Sequence, residues 1–416
     1  MKSLKRWSFA PIIQNFFNLG VFQASGIILQ LLLIPIISRK YGIETFGQVA
    51  LAASFAAFIA SVANYGTSQT AIKDVANNLD NKEFLSELFY KILFFRLLAA
   101  CILLPMMGWM FFLHTKLSYW ILLGTIPLIL AEVFNPLYFL IGKEKIQWLS
   151  WGSMVVKSLI LLLILLIPLQ QQQAAWINVI LGSPMVLYYI IICILIHYKE
   201  SLQVILPTKG SMLKLARENV YIMFNGTAAS LQQSIFLFAI AGYVSASTLG
   251  AYALVDKLLT ACRQAVASFS NAVYPHASRL FQQSPSSWFA FKLSLQKLYA
   301  AFFGITALLI FFGAKTIVLL ITKKESDTTE IFVQMFCLAP LLVALNANNV
   351  LTLLLEKGYK SLFIISILIL TATFIISFVL VRFSNSQALG WYPLAIEGSC
   401  LLIYLAFTQK KKLNVP

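Results

Sequence analysis

Charged residues are scarce in this chain. They make up 11% of its 416 residues, where soluble domains carry about 25%. A soluble fold with 60% hydrophobic residues would expose apolar surface on every side, so a soluble globular protein is excluded. Metal-binding and disulfide chemistry lack their residues as well. The three histidines (His114, His197, His276) stand far apart, and the five cysteines (Cys101, Cys193, Cys262, Cys337, Cys400) form no C-x-x-C pair. A metal site needs grouped ligands and a disulfide framework needs a Cys pattern, so no metal and no cofactor are expected. A P-loop, an H-E-x-x-H helix and a serine nucleophile elbow are also absent, which removes the common hydrolytic routes. Acidic residues are few: 15 Asp and Glu against 31 Lys and Arg, a net charge of +16. In a soluble protein that excess would suggest nucleic acid. In a chain of mean hydropathy +0.83 it is first a signature of membrane topology, and no nucleic-acid partner is expected.

What the chain has instead is long apolar runs. A spanning helix needs about 20 of them in a row, and twelve stretches qualify: 13–38, 45–69, 88–113, 119–141, 149–168, 174–197, 219–242, 248–272, 296–321, 331–355, 360–382 and 389–408. The first run is too long, and lacks the small-residue exit, for a cleaved signal. With the N-terminus in the cytoplasm, the outer segments hold only Arg39, Lys40, Lys116, Lys323, Lys324 and Arg382. The inner segments hold most of the remaining cations, including Lys143, Lys145, Lys209, Lys214, Lys292 and Lys410 to Lys412. That asymmetry predicts both termini inside. The expected architecture is an all-α polytopic membrane protein, multi-pass, with the lipid bilayer as its solvent.

The sequence also repeats itself. "TFGQVAL" at 45–51 matches "TLGAYAL" at 248–254, an offset of 203 that Gln30 and Gln233 share. Placed at spans 2 and 8, this is what a duplication of six spans produces. It predicts two six-helix lobes, residues 1–200 and 201–416, around a central cavity that spans 1, 2, 7 and 8 line. Those spans are polar. Gln23 and Gln30 share one helical face, as do Asn225 and Gln232; either interhelical hydrogen bonds or a wet cavity accounts for them. Ala52, Ala56 and Ala60 form a small-residue stripe that lets helices approach closely.

Five cations fall within spans: Arg96, Lys157, Lys257, Arg263 and Lys315. Each costs roughly 2.5–3.5 kcal/mol on insertion scales. Asp256 and Arg263 share a face of span 8 about 10 Å apart along the axis, and Lys257 points about 100° away. Arg96 and Lys157 are near enough to the inner edge to snorkel. Glu132 and Glu397, on spans 4 and 12, are candidate ion-coupling carboxylates together with Asp256, or partners of the cations. If the cations face one cavity they outnumber these acids, and an electropositive, low-dielectric cavity attracts an anion. The candidate substrate path is therefore Lys257, Arg263, Asp256, Arg96, Lys157, Gln30 and Gln233. A membrane polymerase, ligase or glycosyltransferase would want catalytic residues on a substantial outer loop, and a cationic-drug exporter would want an excess of intramembrane acids.

The order and spacing of "RKYGIETFGQVA", "NYGTSQTAIKDVA", "GKEKIQWL", "NAVYPHASRL" and "LEKGYK" over nearly the whole chain resemble Wzx-type flippases. These move O-antigen and other lipid-linked oligosaccharides and belong to the multidrug/oligosaccharidyl-lipid/polysaccharide exporter superfamily. The resemblance implies a two-lobed protein of the bacterial inner membrane. It would carry undecaprenyl-pyrophosphate-linked units to the periplasmic leaflet by alternating access, with ion coupling and a cationic lumen. It also implies a polysaccharide polymerase and a chain-length regulator as partners. A capsule or exopolysaccharide unit is an equal alternative to O-antigen. A peptidoglycan-precursor flippase would be expected to have more than twelve spans.

Overall fold

The computed structural model describes residues 10–113, 118–168, 173–356, 359–383 and 385–413. Lys2, Lys5, Arg6, Lys116, His114, Lys357 and Gln170 to Gln172 lie outside them, as do the side chains of Asn225 and of Lys410 to Lys412. The described chain is helical, and each of the twelve expected spans falls on a helix or a broken run of helices. In the first half they are α1 (Ala10–Tyr41), α2 (Ile43–Asn64), α4 (Lys82–Leu113), a broken span, α8 (Gln147–Leu166) and α9 (Ala175–Lys199). The broken span consists of α5 (Tyr119–Leu123), α6 (Ile126–Val133) and α7 (Leu137–Gly142). A short helix, α3 (Thr67–Asn77), follows α2. In the second half the spans are α10 (Lys209–Ala241), α11 (Ala246–Gln283), α12 (Pro285–Thr322), α13 with α14 (Asp327–Phe336, Ala339–Leu355), α15 (Tyr359–Phe383) and α16 (Tyr392–Leu413).

The helix boundaries follow local chemistry. Ser245 and Ser326 cap α11 and α13 by accepting from the backbone N–H three residues on, at 3.2 and 3.3 Å, and Pro285 opens α12, the position where a missing N–H costs nothing. Asn135-Pro136 separates α6 from α7. Arg39 and Lys40, set against the charge rule in an outer turn, serve helix ends. The Lys40 ammonium donates to the carbonyls of Ile164, Leu165 and Ile167 at the end of α8, at 2.9, 3.2 and 2.6 Å, and Arg39 donates to Leu320 near the end of α12. Cations are stabilised there by the unpaired carbonyls and the helix dipole.

Helices α1–α9 pack mainly on one another, as do α10–α16, and the two groups meet where α2 lies on α10 and α11 and α1 on α11 and α12. The alanine stripe of α2 is packing: Ala52 and Ala56 are completely buried. Among the described residues, ten segments are long and apolar enough to cross a membrane. The two that fall short are α10, apolar only over Gly226–Ala241, and α11. These are the helices held at the lobe interface, where other helices replace lipid as their surroundings, while α12 turns Leu309 and Phe312 fully outward.

The end of the bundle carrying the termini is held by charge. Glu200, just past α9, takes Lys143 and Lys145 at 2.9 and 2.8 Å. Burial alone would raise its carboxyl, but bonds and attraction from the two ammonium groups outweigh it and hold Glu200 below its ordinary 4.5.

Candidate functional site

The repeat meets itself across the lobe interface. A Cβ on Gly47 would come within 2.7 Å of Gly250 Cα, and one on Gly250 would overlap the carbonyl of Ile43. The two glycines of the repeated motif therefore let α2 and α11 touch backbone to backbone at the end opposite the termini. Farther in, Phe55 stacks on Phe238 with ring centroids 3.9 Å apart. The Lys257 ammonium donates to Ser54 Oγ at 3.3 Å, and these positions are also 203 residues apart. The basic residue on α11 thus lies against the neutral residue at the matching position of α2. Gln30 secures the same spot by donating to the Lys257 carbonyl at 2.9 Å, and Gln23 accepts from Ser268 at 2.7 Å. Gln23 and Gln30 of α1 thus make interhelical bonds to α11.

Three cavities border α2, α10 and α11. A central one of about 590 Å³ lies between α2 and α10 and includes Ala53, Asn64, Glu132 and Gly226. A narrower one of about 180 Å³ shares Ala53 with it and runs beside Gln30 to Lys257. The third, about 410 Å³, lies in the second lobe and includes Gln232, Gln233, Arg263, Asn346 and Glu397. Gly226 and Gln233 are seven residues apart, on one face of α10, so the central and third cavities open along the same helix.

The five intramembrane cations do not share one cavity. Arg263 is paired with Glu397: its Nε and Nη2 both donate to Oε1, at 2.9 and 2.6 Å, and Asn346 donates to Oε2 at 3.0 Å. Arg96 does not snorkel. It is buried, donating to Thr67 Oγ1 at 2.9 Å, Ser68 Oγ at 2.8 Å and the Asn135 carbonyl at 3.0 Å. Lys157 ties α8 to α1 through the Phe22 carbonyl at 3.0 Å and Ser25 at 2.9 Å. Lys315 pairs with Glu325 at 3.1 Å on an exposed surface. Only Lys257 stands at the lobe interface with a loose acid partner, Asp256 at 4.0 Å. Asp256 itself is buried.

Several side chains were invisible to sequence reasoning. Tyr65 and Gly66 both take positive φ, 54° and 71°, and end α2; a Cβ on Gly66 would collide with Ile222 of α10. That turn presents Asn64, Thr67 and Ser68 to the first lobe, where Asn64 donates to Glu132 and the other two receive Arg96. Gly66 was the available signal, since glycine takes positive φ at no steric cost. Lys292, assigned to a loop by its charge, is buried and donates to Asn349 and Thr352 at 2.9 and 3.0 Å.

Two helical lobes that bury polar helices against each other around a central cavity define a polytopic membrane protein of the kind seen in multidrug and lipid-flippase structures. An inward-facing multidrug resistance MATE family transporter of the MOP superfamily aligns with a TM-score of 0.73 over 93% of this chain and 94% of its own, at 12% identity. The lipid II flippase MurJ, in an inward closed conformation, aligns at 0.69 over 97% and 88%, at 13% identity. At these identities the likeness is one of fold. In sequence, a protein of Escherichia coli (strain K12) named "Putative O-antigen transporter" is 24% identical over 355 residues, 84% of this chain and 85% of that protein. The profile of the family described as "Polysaccharide biosynthesis protein" matches residues 12–281, more than half of the chain. The chain belongs to that family.

Proposed function

We propose that this protein is a flippase. It moves a polysaccharide repeat unit linked to undecaprenyl pyrophosphate from the cytoplasmic to the periplasmic leaflet of the bacterial inner membrane, with both termini in the cytoplasm. The observation that carries the reading is Lys257 at the interface of two repeat-related lobes, beside a cavity, with its carboxylate partner Asp256 no closer than 4.0 Å. A diphosphate entering a low-dielectric site finds there a cation held only by a long ion pair and a hydroxyl, and a charge-assisted hydrogen bond is stronger than a neutral one. Family membership, the fold and the name of the Escherichia coli relative support the same class of cargo.

In this reading residues 1–200 and 201–416 rock against each other. The glycine contact of α2 and α11 closes the periplasmic end while the unit enters from the cytoplasm. Asp256 has the least hydrogen-bond support of the three candidate carboxylates and is assigned the coupling ion. Glu132 and Glu397 hold Asn64 and Arg263 in place. The delivered unit is then taken by a polysaccharide polymerase with its chain-length regulator. The test is complementation of a deletion strain with Lys257→Ala and Lys257→Arg, scored by long-chain polysaccharide on a gel. The alanine variant is expected to lose it at normal protein level and the arginine variant to keep it. Full display by the alanine variant would remove Lys257 from the path.

A further inference from the structure

The third cavity has a chemistry of its own. Its one guanidinium is already neutralised by Glu397, so the cavity offers no net charge to an anion. What it does offer is fixed hydrogen-bonding atoms. The Asn346 amide nitrogen donates to the Glu397 carbonyl at 3.1 Å and to Oε2 at 3.0 Å. A carboxylate oxygen only accepts, so the NH2 side of the amide must face it and the orientation is forced. Asn346 Oδ1 is left buried with no partner, on a side chain that is 7% exposed. Arg263 spends Nε and Nη2 on Glu397, which leaves Nη1 as a donor. Gln232 donates only to Cys400 Sγ at 3.8 Å, and Gln233 is exposed at the mouth. Tyr274 and Tyr404 add aromatic faces.

We infer that this cavity is a carbohydrate subsite: it holds uncharged sugar rings of the transported unit while the diphosphate stays at Lys257. The inference rests on the flippase reading and assigns its cargo's two chemistries to two places. A pyranose presents neighbouring hydroxyls that each donate and accept. One donates to Asn346 Oδ1, its neighbour accepts from Arg263 Nη1, and the glutamines serve the rest. A diphosphate has no proton to give Asn346 and would meet Glu397. Lys257 and Arg263 are six residues apart on α11, about 9 Å along its axis and about 120° apart around it, so the diphosphate and the sugars would meet different sides of that helix.

The test uses the purified full-length protein and two probes, inorganic pyrophosphate and a panel of free N-acetylglucosamine, galactose and rhamnose, read by saturation-transfer NMR. At least one sugar is expected to bind the unaltered protein without displacing pyrophosphate. The Gln232→Leu/Gln233→Leu variant, which leaves Asn346 and the ion pair intact, is expected to lower the sugar signal at least fivefold and to keep pyrophosphate binding. Lys257→Gln is expected to do the reverse. Pyrophosphate binding with no sugar signal, or a sugar signal equal in both variants, overturns the carbohydrate subsite and leaves the flippase reading standing. Failure of the unaltered protein to bind either probe overturns the subsite as well, and polysaccharide display in the complemented deletion strain then judges the flippase reading separately.

Discussion

Arg263 is a candidate for the substrate path and Glu397 for ion coupling because each is a charge in hydrocarbon, yet the structure makes them partners first. Their side chains are 17% and 8% exposed and the closest approach is 2.6 Å. Replacing one member of such a pair strands the other as a buried charge, at about 3–5 kcal/mol. Arg263→Ala and Glu397→Ala should each show that loss. For a lobe of about 200 residues, it corresponds to a fall of roughly 6–20 °C in Tm. Removing both charges with residues of similar volume, Arg263→Met/Glu397→Leu, eliminates the stranded charge, and such replacements are often neutral or stabilising by about 1–4 kcal/mol. The double variant should therefore melt within a few degrees of the unaltered protein. The assay is thermal unfolding of the detergent-solubilised protein, together with its level in membranes. Single variants that melt within about 1 °C of wild type, or a double variant that loses the sum of the singles, would refute the reasoning. In either case the two charges would belong to the lumen alone.

The lobe contact gives another prediction. Gly250→Ala pushes a methyl group into the Ile43 carbonyl, so α2 and α11 should separate, and Cys introduced at Phe46 should react faster with an impermeant maleimide than in the glycine protein; equal rates would sink the contact. At the lobe interface, Lys257→Ser should lower polysaccharide display, and Ser54→Lys/Lys257→Ser, which moves the cation across the interface to its repeat-related position, should recover it. No recovery would show that the lysine acts in only one lobe. Glu200 supplies a pH dependence. Its carboxyl is held below 4.5, so its ion pairs contribute fully above about pH 4.5 and are lost as pH falls through the lower folded value. Between pH 6 and pH 3.5 the wild type should lose more Tm than Lys143→Ala/Lys145→Ala; identical losses contradict the assignment.

The fold was legible because its signals are periodic and repeated. Apolar runs of bilayer length mark the spans, and the offset of 203 pairs α2 with α11 as equivalent helices; that Gly47 and Gly250 touch is visible only in the structure. The site was less legible. That Asp256, Lys257 and Arg263 are special follows from the cost of charge in lipid, but their partners lie on other helices. Arg263 finds Glu397 134 residues away and Arg96 finds Thr67 and Ser68 across a turn. Nothing local in sequence encodes those pairings. The same limit explains Lys292: near a chain turn a lysine looks like a loop cation, and only the packing of α12 on α14 shows it buried. Arg39 and Lys40 ran against the charge asymmetry because they serve the carbonyl ends of neighbouring helices, a demand no single-helix reading contains.

The most direct measurement of the central claim is the leaflet in which the lipid-linked unit resides when this gene is deleted. With an impermeant sugar-oxidising or lectin probe on spheroplasts, the unit should be hidden on the cytoplasmic face in the deletion strain. It should appear on the periplasmic face when the intact gene returns, and stay hidden with Lys257→Ala. Units exposed on the periplasmic face in the deletion strain, unpolymerised, would contradict the account and give the protein a role after translocation.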